Sequence, residues 1–398
     1  MARPELSRSR AFVAVGYVFA VGMFGTTLPT PLYPLYQREL GFDELVLTTV
    51  FAAYAVGVLA ALLLAGGTSD MTGRRPVLLT GLVLSAVSAV IFLSFTGLPA
   101  LYTGRLLSGL SAGLITGTAT ATLLDLAPSG DRARASVVAT LVNMGGLGVG
   151  PLVAGVVSVG VNTPLRIPFA LDLVLLAPAF AAVWFLPEPV STTGPLRPRP
   201  APLGVPPEVR AVFVPAAVAG FAGFVVLGLF TAVGPAALGQ LLSVTNRAAV
   251  GAVVFAVFAA STAGQMALEL TEARRALPAG CLILVVGMVL LIGGLQASSL
   301  ALLLSGGVVS GFGQGLSFRA GMSALNAATP PEQRAAVTSV FFVVLYIAIS
   351  LPVVAVGLGA RKFGLRDAGT TCAAVVAALA LVAFAVLRMV RRQFAVAT

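Results

Sequence analysis

Apolar residues fill this chain in long runs, and polar residues appear mainly in the short intervals between them. A helix needs about 20 apolar residues to cross the hydrocarbon core of a bilayer. The runs predict twelve such helices, near 11–34, 45–66, 76–95, 98–123, 136–159, 166–186, 210–233, 248–268, 277–296, 298–324, 336–358 and 368–388. A transmembrane barrel would instead show alternating strands of about ten residues, which this sequence lacks. The pattern therefore predicts an all-α membrane protein of twelve transmembrane helices.

The composition agrees with a lipid environment. Of 398 residues, 58% are hydrophobic and 10% are charged, whereas a soluble chain carries about 25% charged residues. Such a chain cannot cover its surface with polar groups. The excess of 24 Lys+Arg over 14 Asp+Glu lies in short runs between apolar segments. This placement argues against a nucleic-acid partner, which would need basic residues along one face.

The basic residues in the loops predict the topology. Cytoplasmic loops of membrane proteins carry an excess of Lys and Arg. With the N-terminus inside, the cytoplasmic basic residues are Arg3, Arg8, Arg10, Arg74, Arg75, Arg132, Arg134, Arg197, Arg199, Arg210, Arg274, Arg275, Arg334, Arg388, Arg391 and Arg392. The smaller external set is Arg38, Arg166, Arg247, Arg361, Lys362 and Arg366. We therefore expect both termini in the cytoplasm.

The predicted compartment is a bacterial inner (cell) membrane, which the chain crosses many times. Lys362 is the sole lysine, and the many Arg, Ala and Gly residues indicate a GC-rich bacterial genome. The first apolar run is too long for a signal-peptide core, so we expect an uncleaved first span.

A proline-rich polar segment and an internal repeat predict two similar halves. The polar segment predicts an N-terminal six-helix bundle (1–186), a cytoplasmic linker (187–208) and a C-terminal six-helix bundle (209–398). Ser108-Gly109 and Gly113-Leu114 recur 202 residues later as Ser310-Gly311 and Gly315-Leu316. At the same offset the further matches are Pro76 with Pro278, Asp70 with Glu272, Pro128 with Pro330, and Arg132 with Arg334. So many matches in order predict a parallel repeat, typical of transporters with a site near the bilayer midplane.

The loop between the second and third predicted helices reads GGTSDMTGRRPVLL. Its characteristic residues are Gly66, Asp70, Gly73, Arg74 and Arg75. This spacing resembles the cytoplasmic signature of the major facilitator superfamily, although Met71 stands where the family has a basic residue. A second copy near Glu272, Arg274 and Arg275 lacks the glycines.

The resemblance implies a twelve-helix fold of two pseudo-symmetric six-helix bundles and a gating role for this loop. In the family, the loop arginine commonly pairs with an acid at the end of the fourth helix, here Asp125. Asp70 would then be free to meet the N-terminus of the eleventh helix, where a helix dipole favours an anion. The alternative is a basic loop that only sets topology.

The fourth predicted helix contains an arginine within its apolar run. The segment LYTGRLLSGLSAG resembles the family's fourth-helix motif, with Arg105 in place and Ser108 replacing the usual glutamine. An arginine inside the membrane is a functional candidate because of its cost there. A structural ion pair or a side chain that snorkels to the interface is the alternative. Asp172, at a comparable depth in the sixth helix, is a candidate partner, and we predict a coupling role for both.

The fifth predicted helix contains GGLGVGPLVAG. Gly146, Gly150, Pro151 and Gly155 match the antiporter motif of proton-coupled drug exporters, and Ala154 replaces the penultimate glycine. Glycines at this spacing form a groove in which another helix can approach closely, and the proline bends the helix. We expect the groove to pack against a helix of the other half and to close the outer path. Ordinary packing of small residues is the alternative.

The resemblance also implies that helices one, four, seven and ten line the substrate path. Candidate substrate-binding residues on these helices are Thr26, Thr27, Tyr33, Gln314 and Arg319. The alternative for each is a structural role, since a threonine hydroxyl can bond its own helix backbone.

These observations predict a secondary active transporter that exports small amphipathic molecules or drugs in exchange for protons by alternating access. The expected partners are a small-molecule substrate, protons and the lipid bilayer, and the expected state is a monomer without cofactor or metal. A uniporter or proton symporter for a small metabolite stays open, because the first helix has no acid and the chain has no histidine. If transport is coupled to protons, the proton must bind Asp172, Asp70 or Asp125. An enzyme is not expected, since no Ser/His/Asp set, metal cluster or phosphate loop occurs.

Overall fold

The computed structural model describes residues 5–190, 200, 203–270 and 272–396. These residues form helices and connecting segments, with no strand among them. Within the described part of the chain, twelve helices are long and apolar enough to cross a membrane. We label them α1 (Arg8–Leu40), α2 (Glu44–Ala65), α3 (Arg74–Ser94), α4 (Leu98–Asp125), α5 (Arg132–Val157), α6 (Ile167–Trp184), α7 (Pro207–Leu242), α8 (Arg247–Leu270), α9 (Arg275–Gln296), α10 (Leu300–Ala328), α11 (Pro331–Phe363) and α12 (Leu365–Met389). The twelve helices predicted from apolar runs are confirmed.

Two helices continue beyond the ends that hydrophobicity predicts. In α1 the regular helix ends at Thr27, and a 3₁₀ turn over Thr30–Leu32 leads into a further helix over Tyr33–Leu40. Pro29 and Pro31 lie at this turn and remove backbone donors, which explains the change of helix type. In α7 a π-helical segment over Leu229–Val233 precedes the last helical turns. The α1 continuation carries Gln37, Arg38 and Glu39, which end the apolar run. The α7 continuation is mostly apolar but begins with Gly234 and Pro235, residues that indicate the end of a helix.

Large apolar side chains lie on the outer surfaces of the helices. Val13 in α1 is 69% exposed, Val174 in α6 is 67% exposed, and Leu351 in α11 is 66% exposed. A water-soluble protein rarely exposes so many large apolar groups together. Since helices satisfy their own backbone hydrogen bonds, these surfaces fit a hydrocarbon solvent.

The helices are divided between two compact units. Unit 1 comprises Met1–Leu40, Ala53–Ala201 and Asn246–Ala252, and unit 2 comprises Gly41–Ala52, Pro202–Thr245 and Val253–Thr398. Each unit thus contains a short part of a helix whose remainder belongs to the other. Parts of the predicted linker, residues 191–199, 201 and 202, lie outside the described residues. The division into bundles at 187–208 stays a prediction.

The repeated glycines lie at equivalent helix crossings inside the two units. In unit 1 a Cβ on Gly109 of α4 would collide with the carbonyl oxygen of Tyr54 in α2. In unit 2 a Cβ on Gly311 of α10 would collide with the carbonyl oxygen of Val257 in α8. Small residues permit such close approach of helix backbones in membranes. The repeat seen in the sequence therefore corresponds to a repeated packing geometry.

Candidate functional site

An ion-pair cluster lies at the loop between α2 and α3 in unit 1. The guanidinium of Arg74 donates to Asp70 Oδ1 at 2.5 Å, to Ser69 Oγ at 2.8 Å and to Asp125 Oδ2 at 3.0 Å. The Arg74 side chain is 9% exposed, whereas those of Asp125 and Asp70 are 27% and 66% exposed. We call Asp70, Arg74 and Asp125 the loop cluster. The arginine is enclosed between two carboxylates, and Asp70 is bonded to Arg74 in this structure.

The glycines of the loop shape the approach to α3. Gly66 lies in the turn after α2, and a short helix over Thr68–Thr72 follows. Gly73 has φ of 95°, a backbone conformation that residues other than glycine rarely adopt. Helix α3 begins directly after it. The Arg75 guanidinium lies 5.5 Å from the centre of the Trp184 ring at the end of α6. The loop is therefore held to both α4 and α6.

Glu188 is a participant that the sequence analysis missed. One of its carboxylate oxygens accepts a hydrogen bond from the backbone N–H of Arg74 at 2.8 Å, and the other accepts from Arg75 at 3.0 Å. Arg8, at the start of α1, also reaches the region and donates to the backbone carbonyl of Asp125 at 2.8 Å. The signal available in the sequence was an acid between Pro187 and Pro189, directly after the sixth apolar run.

Arg105 is buried in unit 1 and bonds α1. Its Nη1 donates to the backbone carbonyl of Thr26 at 2.5 Å, and its guanidinium lies 4.5 Å from the centre of the Tyr54 ring. The residue is 2% exposed. Buried cation–π contacts stabilise by about 2 kcal/mol, and a carbonyl acceptor satisfies part of the guanidinium. This arrangement joins α4 to α1 and α2 within the membrane.

Asp172 lies close to the same part of α1, but it does not form an ion pair with Arg105. It is 2% exposed, and its Oδ1 has no hydrogen-bond partner among the described residues. A Cβ built on Gly25 would lie 2.7 Å from Asp172 Oδ2, so the carboxylate is packed against the α1 backbone. Two consecutive residues of α1, Gly25 and Thr26, therefore contact Asp172 and Arg105 respectively. An ionised carboxylate with an unpartnered buried oxygen is costly.

Two glycines of the α5 motif pack against α1. A Cβ on Gly146 would lie 2.5 Å from the carbonyl oxygen of Ala20, and one on Gly150 would lie 2.5 Å from both the Phe24 carbonyl oxygen and Thr27 Oγ1. The Thr27 hydroxyl donates to the carbonyl of Leu147 at 2.9 Å. The groove predicted on this helix therefore holds the helix that also contacts Arg105 and Asp172.

The last glycine of the motif has a different neighbour. A Cβ on Gly155 would collide with the carbonyl oxygen of Arg247 at the start of α8, and one on Gly251 would collide with the carbonyl oxygen of Pro151. The Arg247 guanidinium donates to Ser158 Oγ at 3.1 Å and to the Ser158 carbonyl. Reciprocal small residues thus bring the end of α5 and the start of α8 into direct backbone contact inside unit 1.

The predicted substrate residues of α1 are buried in unit 1, and the two threonines among them are hydrogen-bonded. Thr26 Oγ1 donates to the carbonyl of Met23 at 2.7 Å, and Thr26 also bonds the Tyr54 side chain. Thr27 bonds α5, as described above, and Tyr33 is 1% exposed. The hydroxyls of the two threonines therefore satisfy backbone acceptors in this conformation, as the structural alternative expects.

The predicted substrate residues of α10 differ in their environments. Gln314 is 1% exposed, and its Oε1 accepts from Ser261 Oγ at 2.6 Å. Arg319 is half-buried and follows Phe318, whose ring centre lies 5.4 Å from Phe224 and 6.3 Å from Phe341. Gln314 thus belongs to a bonded polar group of unit 2. Phe318, the residue before Arg319, belongs to an aromatic cluster.

Comparisons with known proteins agree with this architecture. Residues 15–270 match the family model of the Major Facilitator Superfamily. The quinolone resistance protein NorA of Staphylococcus aureus is 28% identical over 149 residues, which cover 36% of this chain and 38% of NorA. The multidrug resistance protein MdtL of Escherichia coli is 38% identical over 109 residues, 27% of each chain. The matched segments therefore span well under half the length of these relatives.

Two solved structures share the fold across nearly the whole chain. A bacterial homologue of the human lysosomal transporter Spinster, in an inward-facing and unoccupied conformation, has a TM-score of 0.72 and 15% identity over 96% of this chain and 97% of that one. The human organic anion transporter MFSD10 has a TM-score of 0.66 and 18% identity over 96% of this chain and 100% of that one. The family match covers more than half of the chain, and the twelve helices agree with it. The chain belongs to the Major Facilitator Superfamily of transporters and is not an enzyme.

Proposed function

We propose that this transporter exports small amphipathic molecules or drugs from the cell by exchanging them for protons through alternating access. The chain would lie in a bacterial inner membrane as a monomer, with both termini in the cytoplasm. Its two bundles would be residues 1–186 and 209–398, joined by the linker 187–208. The loop asymmetry of basic residues supports this orientation.

The observation that carries proton coupling is the buried carboxyl group of Asp172. Its Oδ1 has no hydrogen-bond partner among the residues described, and its Oδ2 lies against Gly25. Binding a proton removes the cost of a buried negative charge. In a conformation in which water reaches this carboxyl group, the proton could leave. Because α1 packs against Asp172, the position of α1 would differ between the neutral and the ionised carboxyl group.

Arg105 supplies the neighbouring fixed charge. It holds the carbonyl of Thr26, one residue from the contact between Gly25 and Asp172. A displacement of α1 that follows a change in Asp172 would alter the Arg105 contact as well. The two intramembrane charges would then act through one helix, which is also the helix packed into the α5 groove.

Export of drugs is supported by the relatives and by the α5 glycines. NorA and MdtL are named for drug resistance. By extension, we propose that this chain exports drugs. Thr26, Thr27 and Gln314 are hydrogen-bonded within the protein, so in this conformation they position helices. These three residues would contact the substrate in another conformation of the cycle. Arg319, which follows Phe318 in α10, is the proposed contact for a polar group on an amphipathic substrate.

Purified protein in liposomes provides the test. A fluorescent quinolone is added outside liposomes whose lumen is acidic, and its uptake is followed with and without an ionophore that removes the pH gradient. Protein that faces the lumen with its extracellular side should concentrate the quinolone inside, and only while the gradient lasts. Uptake that requires an acidic outside would indicate symport, and equilibration without concentration would indicate a uniporter.

A further inference from the structure

The N-terminus of α3 lacks a capping side chain of its own. The residue before the helix is Gly73, which forms no side-chain cap. The first turn of a helix leaves backbone N–H groups without intrahelical partners. Pro76 has no N–H, so the donors available at the first two helical positions are those of Arg74 and Arg75. Glu188 accepts from both, at 2.8 and 3.0 Å.

The chain presents Glu188 from a stiff segment. Pro187 and Pro189 flank it, and the residue before a proline is restricted to extended conformations. Residues 186–189 are indeed neither helix nor turn. The carboxylate also lies at the positive end of the α3 dipole, where a negative charge is stabilised. The position of this carboxylate therefore depends on the chain segment that leaves α6.

The capped residues are the ones that form the loop cluster. Arg74 gives its backbone N–H to Glu188 and its side chain to Asp70 and Asp125. Arg75 gives its backbone N–H to the same carboxylate while its side chain lies over Trp184. A movement of Glu188 would shift the first turn of α3, and the guanidinium of Arg74 would lose its alignment with both acids.

We propose that Glu188 is a positioning residue of the cytoplasmic gate: it holds the first turn of α3 so that Arg74 is bonded by both carboxylates. It thereby couples the segment that follows α6 to the gate. The inference rests on the alternating-access cycle of the proposed function. The loop cluster opens and closes in each cycle, and Glu188 sets how readily it reforms.

Hydrogen–deuterium exchange tests the contact without any substrate. In Glu188→Ala, the amides of Arg74 and Arg75 should exchange about tenfold faster, since hydrogen bonds to charged acceptors are stronger than neutral ones. Glu188→Gln keeps one acceptor oxygen and should give an intermediate rate. Glu208→Ala, an exposed glutamate at the start of α7, is the matched control and should leave these amides unchanged. Unchanged exchange in Glu188→Ala would overturn the proposal.

Transport kinetics test the gating role. Glu188→Ala should lower kcat about tenfold with little change in KM, and adding it to an Arg74→Ala variant should cause no further loss because the shared step is already broken. Faster exchange with unchanged kcat, or a full additive loss in the double variant, would overturn the gating role. If the wild type transports no quinolone, the export proposal fails. The single and double variants are then compared by the rate at which a thiol reagent modifies a cysteine introduced on the cytoplasmic side, which requires no substrate.

Discussion

The guanidinium of Arg105 in α4 donates a hydrogen bond to the backbone carbonyl of Thr26 in α1. This contact ties the guanidinium to a backbone atom of α1, so any movement of α1 changes the contact. The preceding residue, Gly25, packs against the carboxylate of Asp172. The structure thus replaces a direct ion pair between Arg105 and Asp172 with two separate contacts to one short stretch of α1.

Substitution of Arg105 should uncouple transport from the proton gradient. Arg105→Ala removes both the bond to Thr26 and the contact with the Tyr54 ring, and should abolish concentrative uptake. Arg105→Lys should restore little, because an ammonium group lacks the planar fork that serves both contacts. Concentrative uptake by the alanine variant, measured at equal expression, would limit Arg105 to a structural role.

The two acids of the loop cluster should differ in importance. Asp125 is the less exposed partner of Arg74, and ion pairs of exposed groups contribute only about 0–1 kcal/mol. We therefore expect Asp125→Asn to lower the transport rate about tenfold, the effect of about 1.4 kcal/mol. Asp70→Asn should slow transport less, with expression and membrane insertion intact. Equal rates for wild type and Asp125→Asn would remove the cluster from the mechanism.

The α5 groove offers a matched pair of glycines. Gly150→Ala would place a methyl group against Phe24 and Thr27, and overpacking of this kind costs about 1–3 kcal/mol. Gly145→Ala meets nothing within 4 Å, and alanine in a helix is favoured over glycine by roughly 0.5–1 kcal/mol. Thermal unfolding in detergent should therefore separate the two variants, with Gly150→Ala the less stable. Gly150→Leu should also stop exchange. Equal stabilities would show that the groove is not tightly occupied.

The twelve helices were predictable because span length and lipid solvation impose a strong pattern. The pairing of Arg74 with Asp125 could be proposed from the family resemblance, and both lie in the observed cluster. Glu188 could not be found in this way, because its partners are backbone N–H groups, which every residue except proline offers. A helix of the other half was the expected neighbour of the α5 glycines, and this is wrong for Gly146 and Gly150, because the motif specifies close packing but not which helix fills the groove. Gly146 and Gly150 contact α1, whereas Gly155 contacts α8.

The packing of Asp172 against α1 should be sensitive to a single methyl group. Gly25→Ala would place a Cβ 2.7 Å from Asp172 Oδ2, so the carboxylate must shift. We expect proton coupling to weaken while quinolone binding, measured by fluorescence titration, is retained. Gly16→Ala is the control in the same helix, because its nearest neighbour would lie at an ordinary contact distance of 3.9 Å. A loss of coupling in the control, or full coupling in Gly25→Ala, would contradict this role.

Proton movement during transport is the most direct test of exchange. Everted membrane vesicles are energised until their lumen, which corresponds to the cell exterior, is acidic, and lumenal pH is followed with a fluorescent dye. Adding a transported quinolone should release protons from the lumen while the quinolone accumulates there, and vesicles with Asp172→Asn should show neither effect. Protons that move in the same direction as the quinolone, or a quinolone that accumulates without proton movement, would contradict proton-coupled export.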